Sequence, residues 1–355
     1  MTFNGELGLQ FTIHIANQYK VPQIIELAEL SAGENFSQIW VNDNLGYRNL
    51  YVVLAAIATK VPIKIGTAVT VPFYRNPIDF ADILASLTEL TDGREVSVGI
   101  GRGSIAQTGK EVSTPSPYSM LSETVTCVNQ LLNGTKINFS DYPLLTSYFN
   151  LQEKGKMQMR FSPQAPIKFY LGGYGDMAME VARKYMDGVL LGGMYLPLLR
   201  AGKINELYAK LNPKEPSDRD VDPLLLAEIN VSVDPDHKAA MEFPKPYVAH
   251  ALMTLKKTGF SDSDFQSVGV KPENVIKIYD AFNEGATIQE AAKLVTEEMV
   301  NATFIAGDAD ACIEGLAQCF NSPETQQLKQ VVLAKLGPDY SQSIKTLSQD
   351  VLPSL

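Results

Sequence analysis

A strand-then-helix rhythm runs through most of this chain, and few folds can absorb it. LGLQFTI (7–13) reads as a strand, and VPQIIELAELSAGE (21–34) places Ile24, Leu27, Ala28 and Leu30 along one helical stripe. SQIWV (37–41) is a strand, LYVVLAAIAT (50–59) a buried helix, and IKIGTAV (63–69) a strand. PIDFADILASLTELT (77–91) opens on Pro77, carries Asp79 and Asp82 in its first turns, and has its stripe at Phe80, Ile83, Leu84, Leu87 and Leu90. EVSVGIG (95–101) is a strand, and 120–134 a helix. The rhythm resumes with a strand at 167–173, a helix at 176–185, a strand at 188–193, a helix at 197–211 and a strand at 224–233. It closes with a helix at 309–320, a strand at 330–334 and a helix at 341–352.

Strands that alternate with helices form parallel sheets with right-handed crossovers. Eight strands, seven of them clearly followed by helices, favour a closed (β/α)8 barrel, with a doubly wound open sheet as the rival. Two segments break the rhythm: an irregular insertion at about 135–165 with a possible hairpin, and a helix-rich one at about 236–300. The expectation is one barrel domain over 1–355.

The chain is 45% hydrophobic over 355 residues, enough for a large core. A net charge of −10 argues against a nucleic-acid surface, which needs clustered Lys and Arg. The N-terminus lacks the basic and apolar regions of a signal peptide, and no apolar run approaches ~20 residues. A soluble cytoplasmic protein with no membrane partner is expected. Cys127, Cys312 and Cys319 form no CxxC; the last two, seven apart on one helix, lie about 10 Å apart, too far for a disulfide. They read as core residues in a reducing compartment.

Barrel chemistry sits at the C-terminal strand ends. Strand 1 ends in Gln10, Thr12 and His14, and strand 2 in Trp40, Asn42, Asp43 and Asn44. Strand 3 runs into GTAVTVPFYRNP, where small and polar residues, among them Ala68, Val69 and Thr70, stand where strand meets helix. Strand 4 ends in GIGRGS, with Gly101, Arg102 and Gly103. Its GxGxG spacing, with no long helix directly after it, is a poor dinucleotide fingerprint and a better close approach to a flat ligand. Arg102 reads either as an anion contact in the mouth or as a solvated loop residue. Strand 5 ends in GGYGD, with Gly172, Gly173, Tyr174 and Gly175, then Asp176 as the expected helix N-cap. Strand 6 ends in Gly192 and Gly193. Free N–H groups at such glycine turns suit a phosphate, and a tight turn is the plainer reading. No His/Cys/carboxylate set has metal spacing, and no GxSxG or Cys–His pair stands out. That pattern points away from hydrolases and zinc enzymes, toward a cofactor that brings its own chemistry.

Four segments carry a resemblance: IWVNDNLGYRNLYVVLAAIA, IKIGTAVTVPFYRNPIDFADILASLTELTDGREVSVGIGRGS, IKFYLGGYGDMAMEVARKYMDGVLLGG and LGPDYSQSIKTLSQDVLPSL. With them the chain resembles the bacterial-luciferase-like superfamily of flavin and deazaflavin oxidoreductases, from about residue 7 to the end. VTVPFYRNP and the GPD stretch are most similar to the coenzyme F420-dependent methylenetetrahydromethanopterin reductase branch. The resemblance implies a (β/α)8 barrel with an insertion, usually a homodimer. It implies a cofactor ring across the C-terminal mouth and its phosphate near strands 5 and 6. It also implies a non-proline cis peptide at the end of strand 3, here Ala68–Val69, bulging against the central ring.

On that resemblance Trp40, Asp43, Ala68, Val69, Thr70, Gly101 and Gly103 would hold the ring, and Gly172, Gly173, Tyr174, Gly175, Gly192 and Gly193 the phosphate end. Arg102 and His14 would meet a small-molecule substrate, with Asp43 and Gln10 beside the reaction. Two positions depart from the relatives. Where the reductase has an acid in a GxEF stretch, this chain has Gln10, and an amide cannot protonate a substrate. Where the related dehydrogenases have a histidine after the strand-2 aspartate, this chain has Asn44. The expected activity is hydride transfer between F420 and a small organic substrate. An FMN-dependent monooxygenase and a non-catalytic flavin-binding barrel are the alternatives.

Overall fold

The computed structural model describes residues 3–11, 18–103, 116–211 and 223–355. Eight parallel strands close into a barrel: β1 (Glu6–Phe11), β2 (Gln38–Val41), β3 (Lys64–Thr70), β4 (Val96–Ile100), β5 (Ile167–Gly172), β6 (Gly188–Leu191), β7 (Leu224–Val233) and β8 (Gln330–Ala334). Each pairs with its neighbour in chain order, and β8 pairs back onto β1 to shut the ring. The open-sheet rival is thereby excluded.

The helices start where the side chains require it. Asn49 accepts from the amides of Tyr51 and Val52 to cap Leu50–Ala58, and Asn76 does the same for Pro77–Glu89, whose proline needs no amide partner. At Asp176–Tyr185 the cap is Gly175, one residue before the expected Asp176. The side chain of Asp176 is instead committed to Lys210, 2.6 Å away. The helix read at 197–211 is two helices, Tyr195–Arg200 and Ile204–Leu211, parted at Gly202, whose φ of +69° suits glycine.

The insertion at 135–165 does contain a short antiparallel pair, Ile137–Asn138 with Lys156–Met157. Between β7 and β8 run six helices from His237 to Thr303, followed by a three-residue strand, Ile305–Gly307, which pairs in parallel beside the end of β7 and is too short to announce itself in the sequence.

Side chains alternate across each strand, so the barrel has an inner and an outer core. Trp40, Ala68, Tyr170, Leu190, Leu226 and Val332 fill the inside; the larger cluster lies between strands and helices. The three cysteines are buried in that outer layer, and burial lifts the thiols of Cys127 and Cys312 to about 12. No helix among the described residues is long and apolar enough to cross a membrane.

Candidate functional site

The inward positions of the strands change character along the barrel. On β2 the inward series is Gln38, Trp40, Asn42, and on β7 it is Leu224, Leu226, Glu228, Asn230. The N-terminal layers are packed and the C-terminal ends open into a cavity of about 490 Å³. Gln10, Asn42, Ala68, Val69, Gly172, Gly173, Tyr174, Gly192 and Gly193 line it from β1 to β6. Glu228, Asn230, Lys335, Tyr247 and His250 line it from β7, β8 and the inserted helices.

The end of β3 is the most constrained part of the wall. The Ala68–Val69 bond is cis, and the pairing of β3 with β4 shifts register between Thr67 and Thr70. Val69 is pressed back onto its glycine neighbours. A Cβ at Gly172 would stand 2.6 Å from Val69 Cγ1, and one at Gly101 2.8 Å from Val69 Cγ2. Strands 4 and 5 therefore end in glycine to make room for Val69. Asp43 anchors the same strand end from behind. Its amide donates to Val69 O (3.3 Å), and its carboxylate accepts from Thr70 Oγ1 (2.6 Å) and from Arg75 Nη1 (2.8 Å). Tyr51 completes the brace, donating to Thr70 Oγ1 while the guanidinium of Arg75 lies over its ring. Burial raises the Tyr51 phenol far above its ordinary value, so it stays neutral.

Two amides meet the bulge from the cavity side. Gln10 Nε2 and Asn42 Nδ2 both donate to the carbonyl of Ala68, at 2.8 and 2.6 Å. Turning either amide over would set two oxygens face to face, so the orientation is determined. The consequence is that Gln10 Oε1 and Asn42 Oδ1 are buried acceptors with no donor among the described residues.

Across the cavity, Lys335 stands one residue beyond β8 in a left-handed backbone conformation (φ 57°). Its ammonium pairs with Glu228, which is 5% exposed, donates to Asn230 Oδ1 (2.8 Å), and lies over the ring of Tyr247. Asn230 in turn donates toward Gly193 O, and a Cβ at Gly193 would collide with its amide at 2.4 Å. Desolvation at the cavity wall, with the cations Lys335 and Lys257 nearby, holds the imidazole of His250 below its ordinary value. Tyr174 is hydrogen-bonded to Thr258 of the inserted helices.

Several expected contacts lie elsewhere. Trp40 is fully buried in the barrel interior, where Nε1 donates to Gln330 Oε1 (2.8 Å); it supports the site from below. Asp43 and Thr70 sit behind the wall because they are spent on bracing it, and neither lines the cavity. Gly101 serves Val69, Gly103 and Gly175 are turn and cap positions off the cavity, and Arg102 is exposed to solvent. His14 lies outside the described residues. Glu228, Asn230 and Lys335 were not anticipated. Their signal is polar residues at inward positions of otherwise apolar strands, toward the strand ends. Among the described residues no group of three His, Cys, Asp or Glu is placed to hold a metal.

The family model described as luciferase-like monooxygenase matches residues 8–325. The chain is 25% identical over 355 residues to the 5,10-methylenetetrahydromethanopterin reductase of Archaeoglobus fulgidus, covering 99% of each. Among solved structures it superposes on the coenzyme F420-dependent tetrahydromethanopterin reductase of Methanopyrus kandleri with a TM-score of 0.75 at 22% identity, covering 98% of this chain and 99% of that one. An F420-dependent secondary alcohol dehydrogenase in complex with an F420-acetone adduct aligns with a TM-score of 0.69 at 20% identity, over 100% of this chain and 99% of the other.

Proposed function

The chain belongs to the luciferase-like monooxygenase family, and on that footing we propose that it is an F420-dependent oxidoreductase acting on a small organic substrate. The observation that carries this reading is the wall of small groups from β3 to β6. Ala68, the backbone of Val69, and the glycines of β5 and β6 leave a smooth face that suits a fused ring. The amide groups at the start of the Asp176–Tyr185 helix suit a phosphate beyond that face. A bound deazaflavin supplies a carbon that gives or accepts a hydride.

The chain's own residues hold and position. Val69, wedged against Gly172, keeps the wall from yielding under a ring. Asp43, Thr70 and Arg75 hold that wedge from behind. Lys335 has three N–H groups; Glu228 and Asn230 take two, and the third binds an oxygen or nitrogen of the substrate. Helices 245–257 and 288–292 line this side of the cavity. Gln10 orients and does not transfer a proton, since a neutral amide is no acid.

Fluorescence titration of the purified protein with F420 and, separately, with FMN tests the reading. Tight binding of F420 with weak FMN binding supports it. The reverse preference replaces it with an FMN-dependent monooxygenase, in keeping with the description of the matching family model. Failure to bind either ring by a folded protein leaves a non-catalytic barrel. Sedimentation at twice the chain mass would support the accompanying homodimer, and a monomer would remove it.

A further inference from the structure

Among the described residues, the titratable side chains that line the cavity are Tyr174, Glu228, Tyr247, His250 and Lys335. All but one are engaged. Glu228 and Lys335 pair with each other, and Tyr174 bonds to Thr258. Tyr247 packs against Phe243 and Phe304, with the Lys335 ammonium over its ring. His250 is the exception: its imidazole has no hydrogen bond or ion pair with any described residue. Helical period brings it to the cavity, since Tyr247, His250, Ala251 and Thr254 form one face of the helix Lys245–Lys257. His250 is the exposed member of that face, so a molecule in the cavity can reach its ring.

A neutral imidazole carries one lone pair and one N–H, and here neither is committed. The surroundings favour that neutral form. Desolvation disfavours the imidazolium first, then Lys335 at the end of β8 and Lys257 on the same helix. The carboxylate of Glu228 is taken up by Lys335, and the neighbouring helix 288–292 contributes apolar Ile288. Met194 and Ala251 continue the apolar lining.

We propose that His250 is the acid–base group of the reaction and that the substrate is a small alcohol with an apolar body, oxidised to its carbonyl compound; this rests on the function proposed above. As the carbinol C–H bond breaks, its hydrogen and electron pair pass as hydride to the ring carbon of the deazaflavin. The O–H bond breaks as well: its proton goes to the imidazole lone pair, and its electrons complete the C=O bond. The imidazolium passes the proton to water at the mouth, which restores the base. The N–H of Lys335 that Glu228 and Asn230 leave over steadies the same oxygen as negative charge gathers on it. In the reverse direction the imidazolium supplies the proton to the carbonyl oxygen.

The test combines F420 binding by fluorescence, reduction of F420 by 2-butanol and by cyclohexanol, and a nitrogen-15 NMR titration of the histidine side chains. The chain has three histidines, so His250→Gln removes one imidazole signal and thereby assigns it. That signal is expected to titrate below about pH 6.5 and to shift when cyclohexanone is added to the F420-loaded protein. Wild-type kcat/KM for the alcohol should fall on the acid side along the same titration. His250→Gln should lower kcat/KM about 100-fold or more and lose that acid limb, with the dissociation constant of F420 unchanged. Thermal melts check folding, and His250→Asn replaces the variant if it does not fold. Binding of F420 with oxidation of neither alcohol overturns the inference alone. So does a folded variant that keeps the acid limb, or a His250 signal that ignores cyclohexanone. Failure to bind F420 overturns the proposed function first, and this inference with it.

Discussion

The two walls of the cavity are built on opposite terms. The β1–β3 wall is neutral and flat, made of two amides, an alanine and the backbone of a bulge, and it has two acceptors to spare. The β7–β8 wall is charged and largely paired within itself: Glu228, Asn230 and Lys335 take up most of each other's bonding. Under the proposed function, the N–H of Lys335 that Glu228 and Asn230 leave over is the one that meets a substrate. On the same proposal, the first wall meets the cofactor and the second the substrate.

The sharpest way to break this contrast is Lys335→Met. It leaves Glu228 buried and unpaired, and the expected cost is about 3–5 kcal/mol in urea unfolding. Adding Glu228→Gln should recover much of that loss, since the uncompensated charge is gone. Next comes Asp43→Asn, which keeps an acceptor for Thr70 and Arg75 but withdraws the charge that Arg75 pairs with. About 1–3 kcal/mol is expected, with weaker ring binding as the wedge loosens. Gln10→Met should change stability little or raise it, because it deletes an unpaired acceptor while Asn42 still serves the Ala68 carbonyl. A loss as large as that of Lys335→Met would show the two walls to be alike.

The smallest effect concerns acidity. The His250 imidazole titrates below its ordinary value, so the unfolded chain takes up its proton first as pH falls. Its contribution is therefore fully present above about pH 6.5 and is lost as pH drops through the lowered folded value. Melting temperature should decline from pH 7 to 5, and His250→Gln should flatten part of that decline. An unchanged slope would mean that His250 is not the group responsible.

Much of the barrel was legible because strands and helices each impose a period on their apolar residues. Asp176–Tyr185, Ala309–Phe320 and β8 fall where the pattern put them. The strand at Ile305–Gly307 was not legible, since three residues show no period. The glycines of β5 and β6 were legible from their turns, and Ala68 and Val69 through resemblance; Gly172, Gly173, Gly192, Gly193, Ala68 and Val69 do line the cavity. Trp40 and Asp43 were assigned to the ring through resemblance, and neither lines the cavity. Strand alternation puts Trp40 one layer down, beside Tyr170. The β7–β8 wall was missed because LLLAEINVSV reads as a buried strand on average, and only its alternate positions show two apolar residues followed by Glu228 and Asn230.

The inserted helices from His237 to Thr303 join the chain at β7 and rejoin it before β8. They contribute Tyr247, His250, Ala251, Thr254 and Ile288 to the second wall, while the β3–β6 face is carried by strand ends. If the cofactor lies on the β3–β6 face as proposed, mutational drift in this segment recuts what the enzyme accepts while leaving its redox partner in place. A lineage holding one cofactor constant could explore new chemistry through a single stretch of helices.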